Sequence, residues 1–195
     1  MAESIVIIQG HPDAAGGHLC HALADAYAKG CAEAGHEVER IEVAQLEFPV
    51  LRTLTDFETG EAPPDIQVAQ DAILQAGHLV LVYPLWLGTM PALLKAFLEQ
   101  CFRPGFAIGS AEPGAKWEEP LMDKSARIVV TMGMPALFYR WYYGAHSLKS
   151  LERNILGFVG ISPIRTSLFG GVEAAGEARR AKWFRKMEAL GRKAE

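Results

Sequence analysis

The sequence is poor in cysteine, has no excess of basic charge and contains no long apolar run. Only Cys20, Cys31 and Cys101 occur in 195 residues. Three widely spaced thiols make neither a disulfide framework nor a Cx2C zinc pair, and an odd count fits a reducing compartment. Lys and Arg number 19 against 23 Asp and Glu, a net charge of −4. A nucleic-acid binder would carry a basic face. The one basic concentration, Arg179, Arg180, Lys182, Arg185 and Lys186, is interleaved with Glu177 and Glu188 and reads as a solvated helix face, so no nucleic-acid partner is expected. No stretch approaches the ~18 apolar residues of a membrane helix. The opening MAESIVIIQGH has no basic region before its short apolar run. The expectation is a cytoplasmic protein without a membrane span.

Three signatures are also missing. There is no GxGxxG of a dinucleotide fold, no GxxxxGKS/T of a nucleotide triphosphatase and no GxSxG of a serine hydrolase. What is present is an ordinary globular composition, 50% hydrophobic and 22% charged, which excludes disorder and predicts a single domain over 1–195.

Continuous β-branched runs bounded by turn residues predict buried strands at Ile5–Gln9, Leu79–Tyr83, Ala126–Met132 and Ile161–Phe169. Glu37–Val43 alternates and reads as an edge strand. Between them lie helical stripes. Leu19, Ala22, Leu23, Ala26, Tyr27 and Gly30 recur at helical spacing, and Pro91 opens a second helix at its first position. A third covers Ser147–Phe158, and a terminal helix carries Trp183, Phe184, Met187 and Leu190. Alternating strand and helix implies an α/β fold, with a parallel sheet and helices on both faces. The segments 44–64 and 103–125 read as long irregular loops.

In such a sheet, ligands bind beyond the carboxyl ends of the strands. After the first strand, GHPDAAGGH (10–18) frees backbone amides before a helix, which suits an anion. After the third predicted strand, Leu79–Tyr83, the chain reads YPLWLGTMP (83–91), an apolar shelf for a flat heterocycle. After the next comes TMGMPALFYRWYYGAH (131–146), with five aromatics between Phe138 and Tyr143 and a protonatable pair, Tyr139 and His146. His11, His18 and His21 suggest a three-histidine metal site, but Asp13 is the only carboxylate near them, and no metal is expected.

YPLWLGTMPALLKAF, followed by Phe102–Phe106, resembles the flavin-ring loop and helix of the diaphorase-type NAD(P)H:quinone oxidoreductases. IVIIQGHPD resembles that family's first strand and phosphate loop, and PPDIQVAQDAILQAGHLVLVYP the segment leading into the ring loop. TMGM with Tyr139 and His146 is similar to its Thr-Gly turn and Tyr/His pair.

The resemblance implies a flavodoxin-like α/β fold, a five-stranded parallel sheet of order 2-1-3-4-5 with helices on both faces. It implies bound FAD or FMN, with FAD slightly favoured. NAD(P)H is the implied electron donor, a quinone-like acceptor the second substrate, the cycle ping-pong and the assembly a homodimer. His11, His18, Leu19, Cys20 and Gln70 would approach the cofactor's phosphate side. Pro84, Leu85, Trp86, Leu87 and Gly88 would line its ring, and Thr131, Met132, Gly133, Met134 and Tyr139 its other edge. Tyr139 and His146 would be catalytic. The chain departs from the family where Ser-Phe-Asn becomes His18-Leu19-Cys20 in a longer loop, where a ring aromatic becomes Leu87, and where two pocket tyrosines become Ile108 and Ser110. The alternative reading is a flavin-binding accessory or redox-sensing subunit of a transporter.

Overall fold

The computed structural model describes residues 2–109 and 121–195. Five strands form one parallel sheet: β1 Ser4–Gln9, β2 Glu37–Glu42, β3 His78–Pro84, β4 Ser125–Met132 and β5 Ile164–Gly170. Their order is β2-β1-β3-β4-β5, as the resemblance implied. β1, β3 and β4 are interior strands buried on both faces, which explains their unbroken apolar runs. β2 lies at the edge and accordingly alternates charge with Val38 and Ile41.

Successive strand residues point to opposite faces, so the sheet feeds two cores. Ile5, Ile7, Val80, Val82 and Val129 pack under α1 (Leu19–Glu33) and α7 (Glu177–Gly191). Val6, Ile8, Leu79, Leu81 and Ile128 pack under α3 (Pro64–Gln75) and α4 (Ala92–Cys101). No helix among the described residues is long and apolar enough to cross a membrane.

Several elements differ from the sequence expectation. Segment 44–64 is not wholly irregular: it holds α2, Leu54–Thr59, whose first turn is capped by Thr53 Oγ1 accepting from the Asp56 amide at 3.0 Å. Pro91 is the residue before α4 rather than its first turn. The aromatic run is not a loop: Ala136–Trp141 forms α5. The helix expected over 147–158 is α6, His146–Ser150, continued by a wider π turn over Leu151–Leu156. β5 starts at Ile164, because the Ile161 amide donates back to Leu156 and closes that turn. Of the expected loop 103–125, residues 110–120, including Ser110, lie outside the described residues.

Candidate functional site at the carboxyl edge of the sheet

The strand order reverses between β1 and β3, and the loops that leave these two strands meet there. The first loop turns through Gly16 and Gly17, both at positive φ with open space around them. α1 then begins from His18, which offers its first turn no side-chain cap. A helix start left uncapped, beside glycines that cover nothing, presents several amides to one point.

Histidines surround that point. The rings of His11 and His18 stack with centroids 3.9 Å apart and planes 16° from parallel, and His21 lies 5.4 Å and 5.7 Å from them. Ring lone pairs lie in the ring plane, so stacked imidazoles aim them side by side rather than at a common ion. Among the described residues no cluster of His, Cys, Asp or Glu is arranged to hold a metal. His11 is buried, and this burial, with His18 and His21 close by, holds its pKa down at about 4. Asp13 pairs with His18 at 2.7 Å, and this bond lowers its carboxyl pKa. Two polar atoms here are buried without a partner among the described residues: Nε2 of Gln9, at the end of β1, and Nδ1 of His21. Orphaned polar atoms beside an open amide cradle fit an anionic ligand.

The β3 loop forms the second wall. Trp86 and Thr89 exchange backbone hydrogen bonds at 2.9 and 3.0 Å around Leu87 (φ 45°) and Gly88 (φ 81°), the two positive-φ positions of a type I′ turn. Leu87 at its tip is fully exposed and Trp86 half-exposed. The edge of the Trp86 ring meets His11 at 5.9 Å. The third wall is the end of β4: Thr131 Oγ1 is 3.2 Å from Cys20 Sγ, which ties β4 to the first turn of α1. Burial pushes the Cys20 thiol up to about 11, so it is protonated at neutral pH.

The structure therefore brings together His11, His18, Leu19, Cys20, Trp86 and Thr131, with Pro84–Gly88 and Met132–Met134 continuing the same edge. Gln70 is not among them. It sits on α3, where Nε2 donates to the Cys101 carbonyl at 2.9 Å, at the end of α4 remote from this edge. Tyr139 and His146 are not a bonded pair either. The Tyr139 ring is buried and its hydroxyl is shared with Ser147 Oγ at 2.8 Å and with the Leu148 amide at 3.3 Å, while His146 is exposed at the start of α6. Ser147 lines a cleft of about 540 Å³ with Trp86, Leu87 and Met90, so the phenol reaches the shelf through a second hydroxyl. Sequence reading missed Ser147, and it missed Asp13 as the partner of both neighbouring histidines. A second cleft, of about 360 Å³, runs from Gly17 and His18 past Ala22 to Glu173, Arg180 and Phe184.

Residues 3–190 match the Flavodoxin_2 family, described as flavodoxin-like fold. An uncharacterized NAD(P)H oxidoreductase of Haemophilus influenzae is 33% identical over 120 residues, 61% of this chain and 58% of that protein. An FMN-dependent NADH:quinone oxidoreductase of Ruegeria pomeroyi is 25% identical over 129 residues, 58% of this chain and 63% of that protein. Both matches span less than two thirds of the relative's length. The solved NAD(P)H:quinone oxidoreductase of Methanothermobacter marburgensis superposes with a TM-score of 0.82 at 21% identity, covering 100% of this chain and 97% of that one. These relatives are of the kind the ring-loop motif resembles. With its strand order, its switch-point site and a match over nearly its whole length, the chain belongs to the Flavodoxin_2 family of flavodoxin-like fold.

Proposed function

We propose that the protein is a flavin-dependent NAD(P)H:quinone oxidoreductase that works as a cytoplasmic homodimer. The observation that carries this reading is the ring contact between His11 and Trp86, which joins an anion cradle to an apolar turn across the switch point. A ligand with a phosphate tail and a flat apolar head spans that junction. When bound, a flavin supplies two-electron transfer from NAD(P)H to a quinone-like acceptor, the donor leaving before the acceptor enters.

The protein's own residues hold and shield. The amides of Gly17 and the first turn of α1, with His11 and His18, hold the phosphate side. Pro84 to Gly88 line the ring and keep water from it, and Thr131 to Met134 follow its other edge. Tyr139, through Ser147, and His146 offset the charge that develops at the ring and the reduced acceptor. FAD is favoured over FMN by the second cleft, where Arg180 and Phe184 offer a cation and an aromatic face to a second phosphate and an adenine. The Ruegeria relative, named as FMN-dependent, is the counterweight. Leu137, Phe138, Trp141, Tyr142 and Tyr143 remain exposed beside the site, more apolar surface than a monomer usually shows, and a twofold partner would cover it.

Releasing the cofactor by denaturation and identifying it by absorbance and mass tests the reading directly. Absence of flavin, and of binding to added FAD or FMN, ends it. Flavin binding without NAD(P)H oxidation transfers the protein to the accessory-subunit reading, and an active monomer removes the dimer. Removing a positioned proton donor costs roughly 10²–10⁴-fold. With two groups sharing the work, Tyr139→Phe and His146→Gln are each expected to slow flavin bleaching by at least about tenfold. Flavin content should hold, and wild-type bleaching in both variants removes the pair from catalysis.

A further inference from the structure

Asp13 is bonded in four directions, one of them its carbonyl accepting from the Gly16 amide at 3.4 Å. Its main-chain amide donates to Nδ1 of His11 at 3.2 Å, Oδ1 accepts from the Ala15 amide at 2.9 Å, and Oδ2 meets Nε2 of His18 at 2.7 Å. Together these bonds fix where the imidazole protons sit. A nitrogen that accepts carries no proton, so neutral His11 keeps its proton on Nε2. An ionised carboxylate only accepts, so Nε2 of His18 must donate to it, and neutral His18 is left with a bare lone pair on Nδ1. That Nδ1 makes no hydrogen bond among the described residues. His18 is also the residue from which uncapped α1 starts. An anion drawn to those amides thus meets a lone pair at His18 unless Nδ1 gains a proton.

We infer that anion binding at the start of α1 is coupled to uptake of one proton by His18, with Asp13 as the positioning residue that imposes the coupling. The site loosens its hold on a flavin phosphate as pH rises. The inference rests on the flavin reading for its ligand and deepens it. The protonated ring is flanked by Asp13 on one side and the arriving anion on the other, both favouring the charge. His11, stacked 3.9 Å away and buried, stays neutral, which limits uptake to one proton. His21 at 5.7 Å and Arg180 across the cleft oppose the charge, while Glu173 in the same cleft favours it. The buried, unpartnered Nε2 of Gln9 is an independent sign that the loop is built around a ligand.

Calorimetric titration of the apo protein with FAD, riboflavin and inorganic phosphate, in buffers of different ionisation heat near about pH 8, measures the proton count. About one proton is expected with FAD and none with riboflavin, which lacks the phosphate. Where uptake is one full proton, FAD binding weakens by about tenfold per pH unit as pH rises. Asp13→Asn keeps the Ala15 acceptor and the main-chain amide to His11, but its side-chain amide donates to Nε2 of His18 and moves that ring's own proton to Nδ1. Its FAD affinity should then be flat with pH and exceed the wild type's at about pH 9. His18→Gln, a neutral donor, should also be flat, and circular dichroism checks that each variant is folded. FAD binding to wild type without proton uptake, or a wild-type pH slope in Asp13→Asn, overturns the inference. Uptake with inorganic phosphate but not with FAD also overturns it and assigns the cradle to a free anion. If no flavin binds at all, the functional reading fails, and inorganic sulfate, which carries no titrating proton at this pH, decides the coupling in its place.

Discussion

The two ends of α1 are built on opposite terms. At its start, glycines have open space, the first turn is uncapped and two neighbouring polar atoms lack partners. Near its end, glycine is a packing device. A Cβ on Gly30 would lie 2.0 Å from the Glu188 carbonyl of α7, and one on Gly191 would lie 2.1 Å from the Tyr27 carbonyl of α1. The helices touch backbone to backbone, flanked by Lys29–Glu188 and Arg192–Glu33 ion pairs. The difference separates two uses of one residue type. At positive φ a glycine that nothing touches serves the conformation of its loop, whereas a glycine against a carbonyl serves the packing of two helices.

Substitutions at the two ends should therefore fail in different assays. Gly30→Ala has the largest expected effect, because its methyl meets backbone and the helices must separate. Overpacking of this kind costs about 3 kcal/mol, a fall of roughly 6–12 °C in Tm for a chain this size. Flavin bound per folded molecule should stay at the wild-type level, and loss of flavin without loss of stability would break the contrast.

Gly17→Ala comes next. Space is free, but φ is 76°, where a side chain costs roughly 1–2 kcal/mol. The loop relieves that strain by moving, so the damage should appear in the ligand: flavin affinity about tenfold weaker by calorimetry, with a smaller fall in Tm than for Gly30→Ala. An unchanged affinity would mean that the open end is merely a helix terminus.

Acid sharpens the contrast further. His11 is neutral down to about 4 in the fold, whereas an unfolded histidine titrates near 6.5. The unfolded chain thus binds more protons between these values, and apo stability should be level above about 6.5 and decline as pH falls toward about 4. His78, buried at the opposite edge of the sheet beside Arg127 and Arg165 and also held at about 4, adds a parallel decline. Urea unfolding across this range should show a shallower slope in His11→Gln, and an unaltered slope would refute the desolvation of the cradle. The smallest effect belongs to Lys29→Ala. Its pairs with Glu188 and Glu33 are exposed, and such pairs add little. Its Tm should match wild type, and a clear fall would shift credit for the closed end from the glycine contact to charge.

The sheet was legible because three of its strands are buried on both faces and so write their burial as unbroken apolar runs. Strand order came from the motif resemblance; periodicity alone gives no order. The aromatic run hid α5, since Phe138, Tyr139 and Trp141 within it and Tyr142 and Tyr143 just past its end make a continuous run that leaves no stripe for periodicity to detect. Ile161 looked like strand because it is apolar, yet its amide closes the preceding turn. The apolar loop after β3 and the glycine-rich loop after β1 stood out as composition, but the Asp13 pairings did not, because they depend on how the loop folds back through Gly16 and Gly17. Gln70 shows the same limit from the other side: its residue type suits a ligand, and its side chain is engaged by the end of a helix.

Leu87 carries a consequence for how this protein can change over time. It holds the left-handed conformation of a turn tip, a position that asparagine or glycine occupies more cheaply, and its side chain stands wholly in solvent. A leucine kept there forgoes roughly 1–2 kcal/mol for an apolar group poised over the shelf. Because no core neighbour fixes the size of that group, larger or smaller residues can replace it without repacking anything. On the proposed function, the tip would be a place where acceptor preference can drift independently of foldability, a dial set outside the framework that it serves.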